Sequence, residues 1–178
     1  MRTIKQYVDD TVLFYFTATF KIRIGRLKSR RSLSNMPILS ETEMKGNDEF
    51  VWDIYRQSPP MSTYTLAMAV VPKKYDVTKI KDGKRVLGVW TRTYDEEQRN
   101  RILNETISFL SFFENYFGVK EMLPKIDYLQ SKLTANAMEN WGLVIYNVAG
   151  KIEDSGIVAH ELAHFWFGNL VTCKDWNQ

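Results

Sequence analysis

The only two histidines of this 178-residue chain, His160 and His164, stand four apart with Glu161 between them, in "VAHELAHFWFGN". Residues four apart on a helix lie about 40° apart around its axis, so two imidazoles at this spacing point the same way and can grip one cation. Zinc suits imidazole and accepts that geometry. Glu161, one step along, falls beside the metal, where its carboxylate can take a proton from a water on the ion. The chemistry such a pattern points to is metal-assisted hydrolysis, with zinc activating water and polarising a carbonyl. Two ordinary helix histidines would give the same five-residue pattern, so its flanks matter. "IVA" before and "FWFG" after are apolar and bulky. They predict a buried helix in which both imidazoles need partners for their ring nitrogens, and a metal would supply one.

A helix of this kind must be held by other elements. Three early segments alternate apolar and polar residues with period two and read as strands. In "TATFKIRI" the expected buried set is Phe20, Ile22 and Ile24; in "DEFVWDIY" it is Phe50, Trp52 and Ile54; in "YTLAMAVV" it is Leu66, Met68 and Val70. "SLSNMP" and "QSPPMS" carry turn residues between them, and "KIKDGK" reads as a basic link before the strand "RVLGVWTR". A boundary is placed near Asp76, where the pattern begins to change from all-β to mixed.

The segment from Asp95 to Gly118 repeats Ile102, Thr106, Phe109, Phe113 and Phe117 at helical spacing. Asp95 with Gln98 forms a capping box, and Gly118 suits the stop. Strands "KIDYLQ" and "WGLVIYNV" follow, the second apolar on both faces and so interior to a sheet. The last helix is entered through Asp154 or Ser155.

Composition excludes several classes. The chain is 44% apolar and 25% charged with a net charge of +3, which is globular and shows no electrostatic footprint for nucleic acid; "RLKSRR" reads as a solvated loop. A single cysteine, Cys173, rules out an intramolecular disulfide scaffold, and its position suits packing. "VLFYF" at 12–16 is too short to span a bilayer and is not set in a signal-peptide pattern, so no membrane segment is expected.

Upstream of the histidines, "NAMENWGLVIY" puts Glu139 and Asn140 at the start of an apolar strand. A carboxylate there needs a positive or hydrogen-bonding partner; on pattern alone, a bond to a turn would serve. "AMENWGLV" followed by "HELAHFWFGNLVT" resembles the aminopeptidase N family of zinc exopeptidases, whose paired signatures are GxMEN and HExxH. "SLSNMP" and "PPMSTYTLAMAVV" look like the end of that family's N-terminal β domain, so the likeness covers most of residues 14–178.

The resemblance implies an α+β chain with two parts. Residues 1–75 would be the C-terminal part of a β-sandwich domain, and residues 76–178 the first half of a thermolysin-like zinc metallopeptidase domain. It implies one zinc ion held by His160 and His164, with Glu161 as base. Glu139 would bind the free α-amino group of a peptide, pairing with the ammonium and fixing the register of the first peptide bond. The backbone at Asn136 and Ala137 would run along the substrate, Met138 would line the pocket for its first side chain, and Asn140 completes the signature. The expected partners are peptides with a free N-terminus. Family members occur as plasma-membrane, secreted and cytoplasmic enzymes, so no compartment follows.

Departures from the family pattern are specific. Asn136 stands where GxMEN has glycine, the stretch from Glu139 to His160 is shorter than in most members, and residues 1–13 have no counterpart. The family's third zinc ligand, a glutamate about nineteen positions beyond the second histidine, would fall near position 183, past Gln178, as would its tyrosine that stabilises the tetrahedral intermediate. The expectation is therefore a fragment of an aminopeptidase. The alternatives are a non-catalytic truncated homologue that at most binds peptide N-termini through Glu139, and a relative of the family's epoxide-hydrolysing branch.

Overall fold

A computed structural model describes residues 17–132, 136–147 and 155–172. The readings placed on "VLFYF", Asp154 and Cys173 fall outside these residues. The described residues form an α+β structure of ten strands and two α-helices in three sheets.

The first sheet is antiparallel, with β1 (Arg23–Leu27), β4 (Phe50–Tyr55) and β3 (Ile38–Glu43) in the order β1-β4-β3. The expected alternation holds before and within β1: Phe20 and Ile22 are half-buried and Ile24 is buried. In β4 it is inverted. Val51, Asp53 and Tyr55 face inward, and Phe50, Trp52 and Ile54 are only half-buried. The cause is a polar network that makes Asp53 an inward residue: Arg26 donates to both of its oxygens (2.5 and 3.0 Å), and the Ser32 hydroxyl donates to Asp53 and lies 2.6 Å from Tyr55 Oη. A carboxylate satisfied in this way can sit under a strand that hydropathy alone would turn over.

A two-stranded ribbon pairs β2 (Arg30–Ser34) with β5 (Met68–Pro72). "SLSNMP" is therefore strand in its first half. The face of "YTLAMAVV" is again opposite to expectation: Thr65, Ala67 and Val71 are buried, while Met68 and Val70 are 59% and 46% exposed. Small residues suit this face because the ribbon lies close on a second sheet.

That second sheet has five strands: β6 (Asp76–Asp82), β7 (Arg85–Thr91), β8 (Lys125–Ser131), β9 (Ala137–Met138) and β10 (Leu143–Asn147), in the order β6-β7-β8-β10-β9. The supposed link "KIKDGK" is mostly β6, with only Gly83 and Lys84 left to turn the hairpin into β7. β7, β8 and β10 run parallel, while β6 and β9 pair antiparallel at the two edges. The parallel step from β7 to β8 is made by α1 (Glu96–Phe117), which has the expected Asp95–Gln98 capping box and the left-handed Gly118 stop, φ 66°.

Both faces of the sheet are covered, as an interior parallel sheet requires. Leu87, Val89, Ile126, Tyr128, Val144 and Tyr146 pack with Ile102, Leu103 and Leu110 of α1 and with Val158 and Leu162 of α2 (Ser155–Ala163). On the other face Trp90, Leu129 and Leu143 meet Leu33, Ala67 and Val71 of the ribbon. No helix among the described residues is long and apolar enough to cross a membrane.

Candidate active site

The signature "MENWG" is a tight corner between β9 and β10. Gly142 has φ +86°, and a Cβ there would lie 2.4 Å from the carbonyl oxygen of Asn35, so only glycine lets the chain turn this close to the β2 exit. Asn35 binds the corner, donating from Nδ2 to the carbonyls of Thr65 (2.8 Å) and Trp141 (2.9 Å) and accepting from the Ala67 amide (2.9 Å). Trp141 is fully buried and its indole donates to Glu121 (3.3 Å). Asn140 is buried, and its side-chain amide donates to the Tyr64 carbonyl (3.3 Å). Glu139, half-buried, follows β9, where Met138 pairs with Ile145 and Ala137 with Tyr146.

α2 packs along β9. Asn136 and Ala137 on the strand side and Gly156, Ile157, His160 and Glu161 on the helix side line one cavity of about 390 Å³. His160 is exposed and His164 half-buried, which corrects the expectation of two buried imidazoles: the apolar flanks are absorbed by Phe165 and Trp166, and the histidine face is left open. The Nε2 atoms of His160 and His164 are 3.1 Å apart. Nδ1 of His164 lies 3.1 Å from the carbonyl oxygen of Phe167, an arrangement that places the ring proton on Nδ1 and leaves the Nε2 lone pair toward His160. Two ring nitrogens aimed at one point with one fixed as an acceptor are a donor set suited to a cation. Among the described residues no group of three or more His, Cys, Asp or Glu side chains is clustered to complete such a site.

Glu161 is 6% exposed, and its Oε2 is buried with no hydrogen-bond partner among the described residues. Burial pushes its carboxyl up to about 7, the charge of Glu139 adds to the rise, and His164 opposes it. Glu139 and Glu161 therefore share one electrostatic field.

The turn after α2 is a part of the site that the sequence reading passed over. Gly168 has φ +114°, and a Cβ there would lie 2.9 Å from Tyr64 Oη and 3.7 Å from His164 Nδ1. Tyr64 donates to the Gly168 carbonyl (2.8 Å), and Asn169 Nδ2 donates to the Glu139 carbonyl (3.0 Å). "GN" a few residues beyond the helix is a turn signal, and that is the legible clue.

The Peptidase family M1 domain model matches residues 101–178. Over those residues the chain is similar to the M1 peptidase family. It is 34% identical to a glutamyl aminopeptidase of Bos taurus over 90% of its own length, 35% identical to endoplasmic reticulum aminopeptidase 2 of Bos taurus over 91%, and 38% identical to aminopeptidase M1 of Arabidopsis thaliana over 89%. It spans only 18–19% of the length of these relatives.

Proposed function

We propose that this chain carries the amine-anchoring strand and the metal-binding helix of a zinc-dependent aminopeptidase, an enzyme that releases residues from the N-terminus of peptides. The observation that carries this reading is the facing pair of Nε2 atoms of His160 and His164, 3.1 Å apart, with His160 lining a cavity that Glu161 and residues 136 and 137 also line. Residues 1–75 belong with an N-terminal β domain and residues 76–178 with a thermolysin-like catalytic domain.

His160 and His164 would hold one Zn²⁺, which when bound supplies a Lewis acid for the scissile carbonyl and for water. The chain's own residues do the rest. Glu161 holds or accepts the proton taken from water, and a carboxyl raised to about 7 is poised for that exchange near neutral pH. Glu139 receives the substrate ammonium. Its negative charge opposes ionisation of Glu161, so an ammonium seated beside it relieves that opposition and favours the basic form of Glu161 only when a free N-terminus is present. Ala137, on the edge strand β9, and Asn136 just before it run along the peptide backbone, Met138 borders the first side chain, and Asn140 fixes the corner through Tyr64.

Zinc uptake by the chain and by its His164→Ala variant, measured by dialysis against metal-buffered solution, tests the metal assignment. The expected result is one zinc lost in the variant; uptake that is the same with and without His164 by folded protein overturns it. Hydrolysis of a chromogenic amino-acid amide by the longer protein tests the substrate class.

A further inference from the structure

Among the described residues, two buried oxygens in the core around Glu161 lack hydrogen-bond partners: Oε2 of Glu161 and the hydroxyl of Tyr146, which is 1% exposed. They belong to one region. Tyr146 pairs with Ala137 across β10 and β9, and Ala137 shares the cavity wall with Glu161. Val158 and Leu162, the neighbours of Glu161 along α2, pack in the same core cluster as Tyr146. The Tyr146 ring lies 5.8 Å from that of Tyr128, whose hydroxyl is already bonded to Thr106 at 2.9 Å and so is not available to a carboxylate. The charge of Glu161 reaches both phenols, adding to the burial that raises them.

A phenol carries one donor proton and a carboxylate only acceptors, so these two unmet groups are complementary. The terminal torsion of glutamate is broad, so its carboxylate can turn toward a donor at little cost. We propose that Tyr146 is a positioning residue for Glu161: its hydroxyl donates to the buried oxygen of the carboxylate and leaves the other oxygen directed to the cavity. This rests on the reading of Glu161 as the base. It adds a hydrogen-bond donor from the sheet that fixes which carboxylate oxygen works.

The test uses the metal-free chain, so it is separate from zinc uptake and hydrolysis, which judge the base and metal assignments. Thermal midpoints are measured for Tyr146→Phe, Glu161→Met and the double variant, with infrared spectra in which the Glu161 carboxyl band is identified by its loss in Glu161→Met. Tyr146→Phe is expected to lower the midpoint by about 2–4 °C, by less than half as much when Glu161 is already Met, and to shift the Glu161 band. A tyrosine that only fills the core leaves the band in place, and its substitution adds independently to that of Glu161. Absence of either the shift or the coupling overturns the proposal.

Discussion

The side-chain amide of Asn169 donates to the backbone carbonyl of Glu139 at 3.0 Å, joining the exit of the histidine helix to the strand that carries the proposed amine anchor. Asn169 is 3% exposed, so its amide has no competing solvent. Asn169→Ala removes the donor and leaves the Glu139 carbonyl without it, at a cost of about 1–2 kcal/mol. A fall of roughly 2–6 °C in the thermal midpoint is expected. In an enzyme long enough to complete the proposed site, the same variant is expected to raise KM for peptides more than it lowers kcat, because the proposed anchor moves and the proposed base does not.

Gly168 fixes the other side of that joint. Alanine there meets two obstacles: a φ of +114° that L side chains rarely adopt, and Tyr64 Oη 2.9 Å from the new Cβ. Gly168→Ala is expected to destabilise the chain by about 1–3 kcal/mol, read by urea unfolding. Tyr64→Phe removes the obstructing oxygen along with its bond to the Gly168 carbonyl, so the double variant is expected to be less destabilised than the sum of the two singles.

The candidate site was legible where residue type and spacing alone mark it. His160, Glu161 and His164 are spaced for one side of a helix, and the capping box at Asp95 and Gln98 announces α1 from four letters. Faces were not legible in β4 and β5. Asp53 looks like a solvent residue until Arg26, 27 positions upstream, is brought to it, and Ala67 looks like a weak core residue until the close approach of the ribbon to Leu129 and Leu143 makes small size an advantage. Strand periodicity fixes that alternate residues differ; which set is buried depends on partners far away in the chain. For the same reason Asn35, Tyr64 and Asn169 were overlooked. Each binds backbone carbonyls on distant elements, and no local pattern marks them.

Burial raises the carboxyl of Glu121, against the opposing hydrogen bonds from the Leu123 amide and the Trp141 indole and the charge of Arg85. The folded chain therefore holds this proton more tightly than the unfolded chain. Its contribution to stability is full below the ordinary glutamate range and is lost as pH rises through the raised value. Urea unfolding free energies of the chain and of Glu121→Gln, measured from pH 4 upward, are expected to differ in slope. The parent loses stability with rising pH relative to the variant, and parallel curves would contradict the buried, proton-retaining Glu121. Lys125, which burial lowers, changes stability in the opposite direction but is common to both proteins and cancels in the comparison.

Glu161→Gln separates the proposed base from the proposed ligands. The substitution keeps the size of the side chain and leaves both Nε2 atoms, 3.1 Å apart, untouched. Zinc affinity is expected to stay within a fewfold of the parent, whereas His164→Ala loses it. In an enzyme long enough to complete the site, Glu161→Gln is expected to lower kcat by at least about 10²-fold, the usual contribution of a positioned general base, with little change in KM. Glu139→Ala is expected to show the converse, near-normal zinc with a raised KM and lost preference for a free amine. Normal turnover by Glu161→Gln would place the base elsewhere, and it would also remove the reason for a tyrosine to orient this carboxylate.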